Sequence, residues 1–274
     1  MGRPDGSPDL IVIPARYGST RLPGKPLIPI AGRTLLERVW ANAREAALLA
    51  GDCAVVVATD DERIADHAGQ LGAEVVRTSS ALDCGSARAR AAARQRARVP
   101  DRVVCLQGDA PFITPKIVAA MVDALRRGEA DVATPVYRLD WNQLDRLRAH
   151  KRSTPFSGTT CLRDAQGRAL WFSKTILPAI RHEALLRKEA KSPVWQHLGL
   201  YAYTMKALDW FADTPPGVYE ELEGLEQLRF LENGWSVATI AVDPPEHASS
   251  GIDTAADVAL AEEAIARFGD PFPG

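Results

Sequence analysis

The chain has 274 residues, 46% of them hydrophobic and 25% charged, and a formal net charge of −2. That is the composition of an ordinary globular protein, and the near-neutral balance argues against general binding to nucleic acid or membrane surfaces. No apolar run approaches the ~18 residues of a membrane span, and the N-terminal MGRPDGSPD lacks the apolar core of a signal peptide, so a cytoplasmic location is expected.

The first element is Leu10-Ile11-Val12-Ile13, a short β-branched run of the kind found in strands buried on both faces. Pro14 has no N–H to continue a ladder. A loop follows that holds Gly18 and Gly24, the hydroxyls of Ser19 and Thr20, and the cations Arg16, Arg21 and Lys25. Backbone amides near glycine can approach a ligand closely, and cations neutralise a polyanion. Arg33 to Ala50 reads as a helix stopped at Gly51. Strand, basic loop and helix in that order suit a phosphate site at the carboxyl edge of a parallel sheet. The loop is neither GxxxxGK[ST] nor GxGxxG, and by spacing alone a solvated surface loop stays open.

Ala54 to Thr59 is a second buried strand, and Asp60-Asp61-Glu62 supplies carboxylates where a helix running to Gln70 begins. Glu74 to Arg77 is a third strand. Ala87 to Arg98 is an Ala/Arg-rich helix whose arginines read as a solvated face. Arg102 to Gln107 is a fourth strand. Thr114 and Pro115 open the helix Lys116 to Arg127 as N-cap and first residue, and Asp131 to Val136 is a fifth strand. Strands alternating with helices at this spacing predict an α/β fold with a doubly wound, mostly parallel sheet.

The alternation breaks after residue 136. Residues 140 to 158 are polar without a clear period. Asp164 to Gly167 is a turn between two short strands within Thr159 to Phe172, and Trp195 to Tyr203 is strand-like. The expectation is a single domain over 1–274, in which 140–205 forms a small antiparallel lobe folding over the sheet's edge. Helices at Ala207 to Ala212 and Tyr219 to Asn233, a strand at Val237 to Val242 and a helix from Thr254 to Phe268 complete the chain. Cys53, Cys84, Cys105 and Cys161 are far apart with no CxxC pair, which favours buried thiols over disulfides or a zinc site.

Two carboxylates stand at places suited to chemistry. Asp109, in Leu106-Gln107-Gly108-Asp109-Ala110-Pro111, directly follows a buried strand and so falls at the carboxyl edge beside the first loop. It reads either as a turn residue or, next to a triphosphate, as a Mg²⁺ ligand. Asp253, in Ser250-Gly251-Ile252-Asp253-Thr254, reads by itself as part of a helix cap. His197 alone fits a core histidine, and Glu226 and Gln227 fit a polar helix face.

The loop PARYGSTRLPGKPL, residues 14–27, resembles the nucleotide-binding signature of CMP-Kdo synthetases, the 3-deoxy-manno-octulosonate cytidylyltransferases. QGDAP at 107–111, GIDTAADV at 251–258, QHLGLY at 196–201 and LEQLR at 225–229 resemble further motifs of that family. The likeness runs from about residue 9 to 268. It implies a nucleotide-diphospho-sugar transferase-like fold and a homodimer, for which the aromatic residues of 140–205 offer a candidate contact. It also implies Mg²⁺-dependent transfer of CMP from CTP to an acidic acceptor, with pyrophosphate released. By this resemblance Pro14, Ala15, Arg16, Gly18, Ser19, Thr20, Arg21, Lys25, Gly85 and Gln107 bind the nucleotide. Asp109 and Asp253 hold Mg²⁺, and Arg16, Lys25 and both aspartates form the catalytic set. Arg88, Lys174, His197, Tyr201, Glu226 and Gln227 line the acceptor site.

The departures fall mostly on the acceptor side. Against the family pattern TRxDHxSGTER, Ser79, Leu82, Cys84 and Ala87 replace arginine, histidine, serine and glutamate, while Gly85 and Arg88 remain. Lys174 stands for an arginine and lacks its bidentate reach. By the resemblance Kdo or a related 3-deoxy sugar acid is the leading acceptor, while these losses fall where the sugar is held. Another small acidic acceptor such as a phosphonate is the alternative, and a CTP-binding relative without turnover is a further one.

Overall fold

A computed structural model describes residues 7–18, 22–82, 84–128, 130–244 and 251–272. Ser19, Thr20, Arg21, Asp83, His247 and Ser250 lie outside them.

The strands in chain order are β1 (Asp9–Pro14), β2 (Pro29–Ile30), β3 (Arg33–Thr34), β4 (Cys53–Thr59), β5 (Glu74–Arg77) and β6 (Arg102–Leu106). They continue with β7 (Val132–Asp140), β8 (Thr160–Arg163), β9 (Ala169–Ser173), β10 (Lys191–His197), β11 (Leu200–Thr204) and β12 (Val237–Ala241). One mixed sheet runs β5-β4-β1-β6-β11-β7-β10-β8-β9, with β12 also paired to β7, and β2-β3 form a separate antiparallel pair. The pairs β4-β5, β1-β4, β1-β6 and β7-β12 are parallel.

β1 shows why an unbroken apolar run becomes a central strand. Ile11 and Ile13 belong to one core, with Leu36, Val39 and Val118, while Leu10 and Val12 belong to the other, with Ala89, Ala92 and Phe211. Successive side chains point to opposite faces, so both faces must be covered. Each such side chain, fully buried, contributes about 1.5–3 kcal/mol. The helices Leu35–Ala50 and Pro115–Arg126 cover one face, and Gly85–Arg94 and Met205–Asp213 the other. Thr34 accepts from the Glu37 N–H to start the first of these, and Gly51, at φ +62°, ends it.

From β1 the chain moves outward through β4 to β5, then returns to pair β6 on the opposite side of β1. That reversal opens a crevice beyond the carboxyl ends of β1 and β6, where ligands of open α/β sheets bind. Gly108 is what lets the two strand ends meet: a Cβ there would stand 2.7 Å from the Pro14 carbonyl oxygen.

Several elements differ from the sequence reading. Residues 141–150 form a helix, Trp141–His150, started by an Asp140–Gln143 capping box, and β7 extends to Asp140. The expected helix Tyr219 to Asn233 is two short helices, Val218–Glu223 and Gln227–Glu232, separated where Gly224 turns left-handed at φ +63°. Residues 160–204 supply β8 to β11, antiparallel throughout, and β11 lies between β6 and β7 rather than over the sheet's edge. All four cysteines are free; Cys105 and Cys161 are buried, Cys53 and Cys84 half-buried. Burial pushes the Cys53 thiol up to about 12, which leaves it inert.

Candidate functional site

The loop after β1 is shaped by local devices. Gly24 takes φ +68° and its N–H donates to the Tyr17 carbonyl at 3.0 Å, closing the loop. A Cβ on Gly24 would stand 3.0 Å from the Tyr17 ring. The Arg63 guanidinium lies 3.3 Å from the centre of that ring, a cation–π contact that ties the loop to the helix Glu62–Gln70. A single 3₁₀ turn, Lys25–Leu27, with Pro26 inside it, then sets the Lys25 stem.

Lys25 Nζ donates to Asp109 Oδ2 at 2.7 Å and to Asp253 Oδ1 at 3.0 Å. Three residues far apart in sequence thus converge on one atom. Asp109 follows β6. Asp253 is brought in by the Ile252 N–H, which donates to the Asp109 carbonyl at 2.8 Å, and by Ile252 packing with Ile30, Leu35 and Phe112. Asp257 Oδ2 accepts from the N–H groups of Asp253 and Thr254 and so fixes the turn into the helix Ala255–Phe268. Gly251 permits the approach, since a Cβ there would lie 3.2 Å from the Asp109 carbonyl oxygen.

Around this ion cluster a cleft of about 240 Å³ is lined by Pro14, Ala15, Arg16, Lys25, Gly85, Arg88, Gln107, Asp109 and Asp253, together with Pro26, Leu82, Cys84 and Gly108. It gathers most of the nucleotide-side residues expected from the sequence. Gly18 is exposed and is not among the lining residues; Ser19, Thr20 and Arg21 lie outside the described residues. Gly85 packs against the Gln107 amide, with which a Cβ would clash at 2.7 Å, so the amide's place depends on that glycine. Arg88, assigned by resemblance to the acceptor, lines this same cleft. It is buried and held by Thr78 Oγ1 at 2.5 Å, the Leu82 carbonyl at 3.2 Å and Asp60 at 3.3 Å.

The other acceptor-side residues form a second, contiguous group. Tyr201 donates its hydroxyl to Gln227 Oε1 at 2.8 Å, and Gln227 is almost fully buried with its Nε2 unpartnered. His197 Nε2 lies 2.8 Å from Thr134 Oγ1, with the rings of Phe172 and Tyr201 5.2 and 5.4 Å away. Burial, and then the charge of Lys174, lowers its pKa to about 3, so it is a neutral imidazole. Lys174 Nζ donates to Thr159 Oγ1 at 3.2 Å, and burial depresses its pKa. Its backbone N–H donates to Glu223 at 2.7 Å, and its carbonyl accepts from Lys151 at 2.5 Å.

Ser86 joins the two groups. It is the second residue of the helix that Gly85 opens, and its hydroxyl donates to Glu226 Oε2 at 2.9 Å. Leu82 and Cys84, read from the sequence as acceptor-side departures, line the nucleotide-side cleft. The sequence reading missed Ser86, Gly108, Glu223 and Lys151; Ser86 carried a signal in following the retained Gly85, and Gly108 in lying within the QGDAP motif.

The arrangement provides a carboxylate pair sharing one cation, arginines and a glycine-shaped wall at a sheet switch point, and an adjoining group of polar and aromatic side chains. Two carboxylate oxygens meeting at one point are hard donors that suit Mg²⁺ completed by phosphate oxygens and water. Among the described residues, no group of three or more His, Cys, Asp or Glu could hold a metal ion by itself, and no helix is long and apolar enough to cross a membrane.

Comparison with known proteins gives a consistent picture. A family model described as cytidylyltransferase matches residues 10–240. The 3-deoxy-manno-octulosonate cytidylyltransferase of Maricaulis maris is 38% identical over 262 residues, spanning 95% of this chain and 98% of that protein. The 8-amino-3,8-dideoxy-manno-octulosonate cytidylyltransferase of Shewanella amazonensis is 38% identical over 261 residues, 93% of this chain and 97% of that protein. Among solved structures, a CMP:2-keto-3-deoxy-manno-octonic acid synthetase complexed with CTP superposes with a TM-score of 0.80 at 29% identity, covering 95% of this chain and 99% of that one.

Proposed function

The chain belongs to the cytidylyltransferase family, and from that premise we propose that it transfers CMP from CTP to a 3-deoxy sugar acid of the Kdo type, releasing pyrophosphate with the help of Mg²⁺. The observation that carries this reading is the meeting of Lys25, Asp109 and Asp253 at the carboxyl edge of β1 and β6. Both relatives named above act on octulosonates that differ at position 8, so the acceptor class is a 3-deoxy octulosonate with that position left open.

In this reading Asp109 and Asp253 would hold Mg²⁺, which when bound supplies charge stabilisation on the triphosphate. Arg16 and Lys25 neutralise the phosphate oxygens, and Gln107 and Gly85 form the wall for the base. The acceptor's hydroxyl attacks the α-phosphorus in line, the bond to the bridging oxygen breaks, and pyrophosphate leaves. The protein's contribution is position and electrostatics rather than covalent chemistry. His197, Tyr201, Gln227, Glu226 and Lys174 hold the acceptor. The neutral imidazole of His197 would act as a hydrogen-bonding wall, and Lys174 is the half-buried cation for the acid. Residues 140–205 serve as the acceptor lobe and the contact of a homodimer, and a cytoplasmic location fits substrates of this polarity.

A pyrophosphate-release screen with CTP against Kdo, its 8-amino analogue, sialic-type acids and small phosphonates tests the reading. Turnover confined to the octulosonates supports it. Preference for a phosphonate would move the chain to another acceptor class, a reading favoured by Leu82 and Cys84 standing in the cleft wall where the family has polar residues.

A further inference from the structure

Lys25 does not point into the cleft as a lone cation. Its ammonium, with a side chain only 14% exposed, donates to both carboxylates that would otherwise repel each other. The same two oxygens are the ones a divalent ion would need. An ammonium and a divalent cation both seated against Asp109 and Asp253 would repel strongly at this spacing, because a like charge a few ångströms away is poorly screened in a part-buried site. One of them must yield.

We infer that Lys25 is the site's resident counter-cation: it holds Asp109 and Asp253 together and opposes divalent-ion binding until a nucleoside triphosphate arrives to take up the ammonium. This rests on the reading of the cleft as a Mg²⁺–CTP site. The geometry makes the switch a small one. Lys25 sits on a 3₁₀ turn and shares the cleft wall with Arg16, and its flexible stem can carry the ammonium from the carboxylates to a phosphate lying in the same cleft. The backbone that carries the two carboxylates is held in place, at Asp253 by the Asp257 carboxylate on its N–H, and at Asp109 by the Ile252 N–H on its carbonyl. Metal and nucleotide then bind interdependently, each removing the obstacle to the other.

The test is Mn²⁺ titration of the nucleotide-free protein, read as the loss of free Mn²⁺ signal by electron paramagnetic resonance. Lys25→Met and Lys25→Gln should each bind Mn²⁺ more tightly than wild type, by about tenfold or more, as expected for loss of a neighbouring like charge. Lys25→Arg should stay near wild type, and Asp253→Asn placed on Lys25→Met should abolish the gain. In the wild type, acylation of the Lys25 amine, mapped by mass spectrometry, should rise only when Mn²⁺ alone is raised to the concentration that saturates the site, and fall when CTP is added. Unchanged or weaker Mn²⁺ binding in both neutral variants, a gain that survives Asp253→Asn, or Lys25 acylation indifferent to saturating Mn²⁺ would overturn the inference. Failure of the underlying reading looks different: the neutral variants would still gain Mn²⁺ affinity, while CTP would fail to tighten Mn²⁺ binding in the wild type.

Discussion

Ser86 donates a hydrogen bond to Glu226 at 2.9 Å, joining the start of the helix Gly85–Arg94 to the N-cap of the helix Gln227–Glu232, 140 residues further along the chain. Ser86 follows the glycine that shapes the wall beside Gln107, while Glu226 precedes the residue that receives the Tyr201 hydroxyl. Ser86 Oγ also lies 3.2 Å from the Tyr203 hydroxyl; Ser86 and Tyr203 are buried and Glu226 half-buried, and through them a polar bridge links the nucleotide side to the acceptor side. Ser86→Ala should raise the KM for the acceptor roughly tenfold, about the worth of one hydrogen bond to a charged group, and change the KM for CTP far less. Combined with Glu226→Gln it should lose less than the sum of the two singles. Equal effects on both substrates would assign Ser86 to packing alone.

The carboxylate pair gives a second prediction. Asp109→Asn and Asp253→Asn should each raise the Mg²⁺ concentration needed for half-maximal activity. The double variant should be little worse than the poorer single, because both oxygens meet at one atom, Lys25 Nζ. Mg²⁺ titrations of the three variants check this; losses that simply add would mean two independent roles.

Gly108 and Gly18 should differ sharply on substitution. A Cβ at Gly108 meets backbone, the Pro14 carbonyl oxygen at 2.7 Å, whereas one at Gly18 meets nothing within 4 Å. Gly108→Ala should therefore destabilise the fold by about 1–3 kcal/mol, and Gly18→Ala should leave the urea midpoint within about 0.5 kcal/mol of wild type. A tolerated Gly108→Ala would mean that β1 and β6 can separate without loss.

His197 gives a pH prediction. Its pKa is lowered by burial to about 3, below the ordinary value of 6.5. Between those values the unfolded chain binds a proton that the folded chain refuses, so stability falls as pH falls from about 6.5, at up to about 1.4 kcal/mol per pH unit. His197→Gln, which keeps a partner for Thr134, should lose less stability than wild type between pH 7 and pH 4.5. Parallel urea-midpoint curves for the two proteins would show that His197 is not the group responsible. Over pH 6 to 9 its titration should leave no mark on kcat.

What could be read from the sequence follows physical lines. β1, β4 and β6 were legible because strands covered on both faces must be apolar at every position, and such runs have few other uses. Asp109 and Asp253 were legible as places, by their positions after a buried strand and before a capped helix. The antiparallel half was less so. Trp141–His150 is polar on most of its surface, and its start is marked only by the Asp140–Gln143 box. A single left-handed Gly224 divides what reads as one amphipathic helix. That Lys25 grips both aspartates, and that Ser86 reaches Glu226, are facts of three-dimensional closure that no local pattern encodes.

The central claim is CMP transfer to an octulosonate at the Lys25–Asp109–Asp253 cleft. ³¹P nuclear magnetic resonance of CTP, Kdo, Mg²⁺ and the enzyme tests it most directly, because substrate, product and leaving group are all visible at once. The account predicts a new phosphodiester resonance and pyrophosphate growing in equal amounts as CTP is consumed, both absent without Mg²⁺ and strongly slowed in Asp109→Asn. CTP remaining intact with Kdo and its 8-amino analogue alike, in a folded protein that binds CTP, would contradict it.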